Sequence, residues 1–182
     1  MILVITGPSG AGKSTLAAAW VKAQQRDIAL IDPDQITAWM RNGDQSAVRL
    51  AHTQGPVARI AQHYRITGQI YAAAAQVYAA NGIDVVISQL IGFDPPPPWS
   101  KGWDRLDALE PIFVVLLPTR DVCRERRIAR GSSPDDGSYD FNWHAWQAHP
   151  RARFLENSEL SVDASVAALD GLLAEFVGGD TK

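Results

Sequence analysis

The chain reads as an α/β protein built on a parallel sheet with helices on both faces. Three observations predict it. Short β-branched runs alternate with longer helical stretches along the chain, the pattern of repeated βα units. The first such run, Ile2–Ile5, passes through a glycine-rich turn directly into an alanine-rich helical segment, Leu16–Gln24. The length of 182 residues, 46% of them hydrophobic, is enough for one domain with a full-sized core.

Each further element follows in order. Asp27–Asp32 forms a second short strand, which Pro33 ends. Asp34–Arg41 is helical, with Pro33 near the helix start, where its missing N–H is harmless. Asn42-Gly43-Asp44 is a turn. A long helix runs from about Pro56 to Asn81, and Asn81-Gly82 closes it as a left-handed cap. Asp84–Ile91 is the third strand, and Pro111–Pro118 is the fourth, bracketed by prolines that cannot continue the ladder. An arginine-rich helix, Asp121–Arg130, leads into Gly131–Ser138, whose Gly, Ser, Pro and Asp are the chemistry of a mobile loop. Arg151–Glu156 is a short fifth strand. Ser161 caps a closing amphipathic helix carrying Val166, Leu169, Leu172, Leu173 and Phe176.

Composition limits the partners. A net charge of −3 creates no global field for nucleic acid or anionic lipid, although a local basic patch is compatible with it. A lone cysteine, Cys123, cannot form an internal disulfide and suits a reducing compartment. No run approaches the apolar length that spans a bilayer, and the first residues lack a basic leader, so a cytoplasmic location is expected. The four histidines show no metal-ligand spacing.

The chemistry begins at Gly7-x-x-x-x-Gly12-Lys13-Ser14, the P-loop pattern, set between a strand and a helix as that motif requires. Gly7, Ser9, Gly10, Ala11, Gly12, Lys13, Ser14 and Thr15 are the expected phosphate cradle. Its backbone N–H groups and the helix N-terminus face one point. Lys13 reaches the β/γ-phosphates, and the Ser14 hydroxyl ligates Mg²⁺. Ligands of such sheets bind beyond the carboxyl ends of the strands, which singles out the loops after Thr6, Leu30, Ile91 and Leu117.

Asp32 and Asp34 follow the second strand and so face the same mouth. One carboxylate can hold Mg²⁺ through water while the other takes a proton from an attacking hydroxyl. Asp34, opening the helix beside the acceptor, is read as the base and Asp32 as the metal side; a plain N-cap role for one of them is the alternative. Arg126 and Arg130, at i and i+4 just ahead of the flexible loop, suit a phosphoryl group in flight; a solvated basic face is the alternative. Arg120 is a candidate for the nucleotide base. The third strand ends Ile87-Ser88-Gln89-Leu90 with no aspartate, which argues against a motor ATPase or a switch GTPase. Arg59, His63, Gln89 and Trp99, with Asp34, are the acceptor-site candidates, and the aromatic loop Phe93–Trp103 suits a partly apolar organic acceptor. Trp143 and Trp146 are expected to pack in the core or a lid.

With Gly7–Thr15, Asp32-Pro-Asp34 and the Arg126/Arg130 pair in place, the chain resembles the small P-loop kinases. These include shikimate and gluconate kinases, chloramphenicol phosphotransferase, polynucleotide kinases and the zeta toxins. The resemblance covers nearly the whole chain, including Phe154–Ser161, which is similar to the segment those kinases place near the adenine. It implies a three-layer α/β/α fold with a five-stranded parallel sheet in order 2-3-1-4-5. It also implies a single domain over residues 1–182 with a small mobile lid at about 126–145, ATP with Mg²⁺, and transfer to a hydroxyl. No glycine triplet follows the third strand as in shikimate kinase, and Phe93–Trp103 matches no pattern of the group.

The expected function is therefore ATP-dependent transfer of the γ-phosphate to a hydroxyl of a small organic molecule, such as an antibiotic or a related metabolite. GTP is not separated from ATP by the motif, and the oligomeric state is open. The rivals are a nucleic-acid end kinase, a zeta-like kinase of a nucleotide sugar, and a non-catalytic nucleotide-binding accessory protein.

Overall fold

The computed structural model describes residues 1–39, 57–91 and 103–179. Five parallel strands form one sheet: β1 (Ile2–Thr6), β2 (Ile28–Ile31), β3 (Asp84–Ser88), β4 (Ile112–Leu116) and β5 (Ala152–Leu155). Their order is β2-β3-β1-β4-β5, as expected. The helices are α1 (Lys13–Ala23), α2 (Pro33–Trp39), α3 (Val57–Ala80), α4 (Trp103–Asp107), α5 (Arg120–Ala129) and α6 (Val162–Gly179). The expected turn at Asn42–Asp44 and the loop residues Phe93 and Asp94 lie outside the described residues.

Two apolar layers hold the sheet, and the period of two along a strand sorts residues between them. Ile2 and Val4 of β1, Val85 and Ile87 of β3, and Phe113 and Val115 of β4 pack on one face with Tyr71, Ala72 and Ala75 of α3 and with Trp143 and Trp146. Leu3, Ile5, Val86, Val114 and Leu116 pack on the other with Leu16, Ala17 and Trp20 of α1, Cys123 of α5, and Leu169 and Leu173 of α6. Strands buried on both faces explain why β1 and β4 read as continuous apolar runs rather than alternating ones. Trp20 is buried against this second layer and donates its indole N–H to Asp170 at 2.7 Å, joining α1 to α6.

The caps behave as their residues dictate. Gly82 takes φ 75° after α3, and Asn81 Nδ2 donates to the Val77 carbonyl at 2.8 Å. The Ser161 hydroxyl accepts from the Ala164 N–H at 3.1 Å at the start of α6. One expected boundary moves: β3 stops at Ser88 rather than Ile91. The Gln89 N–H still donates to the Ile5 carbonyl, but the Ile91 N–H goes to the Thr6 hydroxyl at 2.9 Å. A side chain thus replaces the ladder partner and turns the chain across the top of β1. Helix α4 and the 3₁₀ turns at Ser138–Asp140 and Trp143–Ala148 are too short to show a helical period in the sequence.

Candidate active site

The site stands at the carboxyl ends of β1, β2 and β3, on the glycine turn that joins β1 to α1. Gly7 has φ 141°, and a Cβ there would meet the Leu116 carbonyl oxygen at 2.2 Å. Gly10 has φ 89°, and its Cβ would meet the Cys123 carbonyl oxygen at 2.4 Å. These two glycines let the turn lie directly on the backbone of β4 and α5. Gly12, at φ 95°, is less crowded: a Cβ there would meet only Asn157 Nδ2 at 3.7 Å and Arg126 Nη1 at 3.8 Å, both in ordinary contact. Gly10→Ala therefore combines a clash with backbone and a strained φ. We expect a loss of about 3 kcal/mol, on the order of 10 °C in Tm, by thermal unfolding. Gly131→Ala, at φ 71° with nothing within 4 Å, should cost only about 1 kcal/mol.

Lys13 bridges the turn. Its Nζ donates to the carbonyls of Gly7 at 3.0 Å and Pro8 at 2.9 Å. Burial pushes its pKa down to about 8, against the charge of Asp34, which raises it; Arg130 lowers it further. Asp34, in the first turn of α2, and Arg130, at the end of α5, are thus both within electrostatic reach of the Lys13 ammonium.

The hydroxyls of Ser14 and Ser88 lie 3.4 Å apart, so Ser88 occupies the strand end where an aspartate was absent from the sequence. The register pairs Ile31 of β2 with Ile87 of β3, and Ile5 of β1 with Ser88. Asp32 therefore follows β2 one strand away from Ser88. Its Oδ1 accepts the Asp34 N–H at 3.0 Å, so Asp32 caps α2. Burial raises its pKa; the bond from Asp34 N–H opposes this, and the Asp34 charge adds to it. The N-cap alternative is thus seen in the structure, and it uses only one of the two carboxylate oxygens.

The arginines of α5 divide between two tasks. Arg126 donates to the Ala11 carbonyl at 3.3 Å and to the Asn157 carbonyl at 3.0 Å, placing it at the Gly12 end of the turn. Arg130 donates to the Ser9 hydroxyl at 2.8 Å, at the other end. Arg127 is buried and pairs with Asp136, while Arg120 pairs with Asp135 and Asp140 and lies over the Tyr139 ring. Arg127, 5% exposed, is thus no part of a solvated basic face, while Arg126 and Arg130 lie against the two ends of the glycine turn. Arg120, the candidate for the nucleotide base, makes its pairs with Asp135 and Asp140 with its side chain about half exposed. Glu125 has no part in these pairs.

Gln89 follows Ser88, half-buried, with its N–H on the Ile5 carbonyl. Arg59 and His63 belong to α3, but their side chains lie outside the described residues, as does Trp99 altogether. Of the acceptor candidates, the side chains of Asp34 and Gln89 alone fall among the described residues. Trp143 and Trp146 are core residues, 2% and 0% exposed. A cavity of about 200 Å³ borders Ser9, Arg124, Arg127, Ser138 and Tyr139. It lies at the junction of α5 with the following loop, away from the β2 and β3 ends. Among the described residues no three His, Cys, Asp or Glu side chains gather as a metal cluster.

Asn157 went unmarked at the sequence level except as part of the Phe154–Ser161 segment. Its Nδ2 donates to the Ala11 carbonyl at 3.1 Å, and its buried Oδ1 has no partner among the described residues. Ser138 and Asp136 went unmarked too. Nothing in their spacing separates them from any polar loop.

The AAA domain family model matches residues 2–152, which include all of this machinery except Asn157. The chain belongs to the AAA domain family. Among solved structures, this AAA domain protein is similar in fold to a sugar kinase from Janibacter sp. HTCC2649, with a TM-score of 0.63 and 15% identity over 95% of this chain and 94% of that one. It is also similar to shikimate kinase from Bacteroides thetaiotaomicron, with a TM-score of 0.60 and 21% identity over 96% and 98%. No curated protein matches the sequence significantly. No helix of this AAA domain protein, among the described residues, is long and apolar enough to cross a membrane.

Proposed function

We propose that this AAA domain protein is an ATP-dependent phosphotransferase that moves the γ-phosphate to a hydroxyl of a small organic molecule, with residues 1–182 as one domain and a lid at about 126–145. The observation that carries the reading is the gathering at the glycine turn of Lys13, of Arg130, which donates to Ser9 at 2.8 Å, and of Asp34 in the first turn of α2, whose charge reaches Lys13. A bare nucleotide sensor needs the cradle but has no use for a base and an arginine placed about it. The residues fit a magnesium nucleotide: Gly7, Gly10 and Gly12 take the positive φ the turn needs, Arg126 stands beside Gly12, and Asn157 keeps an unpaired acceptor beside Ala11.

Bound MgATP supplies an electrophilic phosphorus whose oxygens are already partly neutralised by the metal. Ser14 and Asp32 are the residues that would hold the metal. Ser88 presents a second hydroxyl beside Ser14 in place of a carboxylate. Lys13 carries its charge to the phosphate oxygens once it leaves the Gly7 and Pro8 carbonyls. Asp34 receives the proton of the acceptor hydroxyl, and Arg130 faces the charge that develops on transfer. Arg126, at the Gly12 end of the turn, joins Arg130 in this role. Gln89, Arg59, His63 and Trp99 are proposed for the acceptor, which the aromatic Phe93–Trp103 loop makes a partly apolar molecule such as an antibiotic or a related metabolite. A cytoplasmic location accompanies this reading.

The test is transfer of label from γ-labelled MgATP, with MgGTP alongside, to a panel of hydroxyl-bearing organic molecules, nucleotide sugars and 5′-hydroxyl nucleic-acid ends. Label on the organic acceptors is expected. Label on nucleic-acid ends, with binding that weakens steeply in salt, would establish an end kinase instead. The ion pairs of Arg120 and Arg127 with loop aspartates argue against that outcome, because they leave α5 without a bare basic stripe. Nucleotide binding with no transfer to any acceptor or to water would leave the accessory-protein reading.

A further inference from the structure

Ser9 is held from two sides by the segment after β4. Arg130 donates to its hydroxyl at 2.8 Å, and the Ser138 hydroxyl accepts its N–H at 2.9 Å. Ser138 is 4% exposed and lies 129 residues along the chain from Ser9. Its hydroxyl hydrogen goes to Asp136 Oδ1 at 2.6 Å, and its own N–H reaches the same oxygen at 3.1 Å. Asp136 pairs in turn with Arg127, whose Nε donates to the Ser133 carbonyl at 2.7 Å. Burial alone would raise the Asp136 pKa, but the bonds from Ser138 and Arg127 outweigh it and hold the carboxylate below its ordinary range. The turn around Ser138 is pinned as well: Trp143 Nε1 donates to the Ser138 carbonyl at 3.0 Å, and the Tyr139 hydroxyl donates to the Pro118 carbonyl at 2.8 Å.

We infer that Ser138, oriented by Asp136 and Arg127, is a positioning residue that docks the lid segment on the Ser9 amide and so sets Arg130 over the phosphate cradle. The inference rests on the phosphotransferase reading above. Its physical content is directional. A hydroxyl whose hydrogen is committed to a carboxylate offers only lone pairs to its other neighbour, and the Ser9 N–H is the donor that meets them. A carboxylate alone at this place would bring a negative charge to the edge of a site for anions. The intervening hydroxyl accepts the bond while the charge stays two residues back, against Arg127. With Ser9 fixed at its amide, its hydroxyl stands where Arg130 can reach it.

The experiment compares Ser138→Ala, Ser138→Thr and Arg130→Ala, singly and with Ser138→Ala and Arg130→Ala combined. Two readouts are taken: phosphate release from MgATP with water as acceptor, and hydrogen exchange at the Ser9 amide. Ser138→Ala is expected to lower kcat about tenfold with KM for ATP within about threefold, the loss of one well-placed hydrogen bond. Ser138→Thr, which keeps the hydroxyl, should recover most of it. Added to Arg130→Ala, Ser138→Ala should cost little more, because the two act through one docking contact. The Ser9 amide should exchange about tenfold faster in Ser138→Ala and not in Ser138→Thr, while amides of β1 and β4 keep their wild-type rates. Fully additive losses in kcat, or an unchanged Ser9 exchange rate, would overturn the inference. If wild-type protein binds MgATP but releases no phosphate, the catalytic reading fails by itself, and the exchange readout still decides the docking contact.

Discussion

Lys13→Ala is expected to lower phosphoryl transfer by about 10³-fold, the scale seen when a preorganised charge donor is removed from a developing anion. The structure adds a sharper form of the same prediction. In the free protein, burial pushes Lys13 down to about 8, while Asp34 partly opposes this. A bound triphosphate favours the charged form and raises the value again. Below pH 8 the free protein already carries the charge, so nucleotide affinity should be flat. Above pH 8 binding must take up a proton, and affinity should fall by up to tenfold per pH unit until the bound-state value is reached. Titration with a non-hydrolysable ATP analogue from pH 6.5 to 9.5 checks this, with buffers of different ionisation enthalpy reporting the proton uptake. Lys13→Arg should keep the low-pH affinity within an order of magnitude and lose the fall, because a guanidinium stays charged throughout. A fall that persists in Lys13→Arg would assign it to another group.

Asp34→Asn is expected to cut transfer by about 10²–10³-fold while leaving the affinity for the nucleotide within about threefold. The amide keeps the shape and loses the ability to take a proton. The helix is not undermined by the change, because α2 is capped by Asp32 through the Asp34 backbone N–H rather than by the Asp34 carboxylate. The same substitution removes a charge that raises the Lys13 pKa, so the pH at which affinity begins to fall should move downward. Loss of transfer without that movement would place Asp34 beyond reach of Lys13. Transfer at near wild-type rate would remove Asp34 as the base. Asp32→Asn makes the useful contrast: it should weaken metal-dependent nucleotide binding, read with Mn²⁺ in place of Mg²⁺, more than it alters the pH profile.

Much of this molecule is written locally. Buried strands need continuous β-branched runs, so β1, β3 and β4 stand out from Ile2–Ile5, Asp84–Ser88 and Ile112–Leu116. Glycines with positive φ, Pro33 at the start of α2 and Ser161 before α6 act within a few residues of themselves, and their effects are legible for that reason. The cradle belongs to this class, since Gly7, Gly10, Gly12, Lys13 and Ser14 occupy one continuous turn. Elements of only three to six residues, such as the 3₁₀ turns that carry Ser138 and Trp143, complete no period and left no trace. The third strand was overestimated because Gln89, Leu90 and Ile91 look like more strand, and only the contact between Thr6 and Ile91 removes them from it.

The sequence by itself determined the sheet, the helices that cover it, the phosphate cradle, and the carboxylates and arginines available to it. Tertiary structure alone decided how those groups are shared out. The arginines of α5 and its C-cap are equivalent in composition, yet helical geometry and the path of the following loop send Arg126 to Ala11, Arg130 to Ser9 and Arg127 to Asp136. Asn157 and Ser138 join the site from 146 and 129 residues beyond the backbone groups they touch. The physical reason is the range of the interactions. A turn or a cap is settled by neighbours in the chain, whereas a hydrogen bond between the β1–α1 turn and the ends of α5 and β5 exists only after the sheet has brought those ends together.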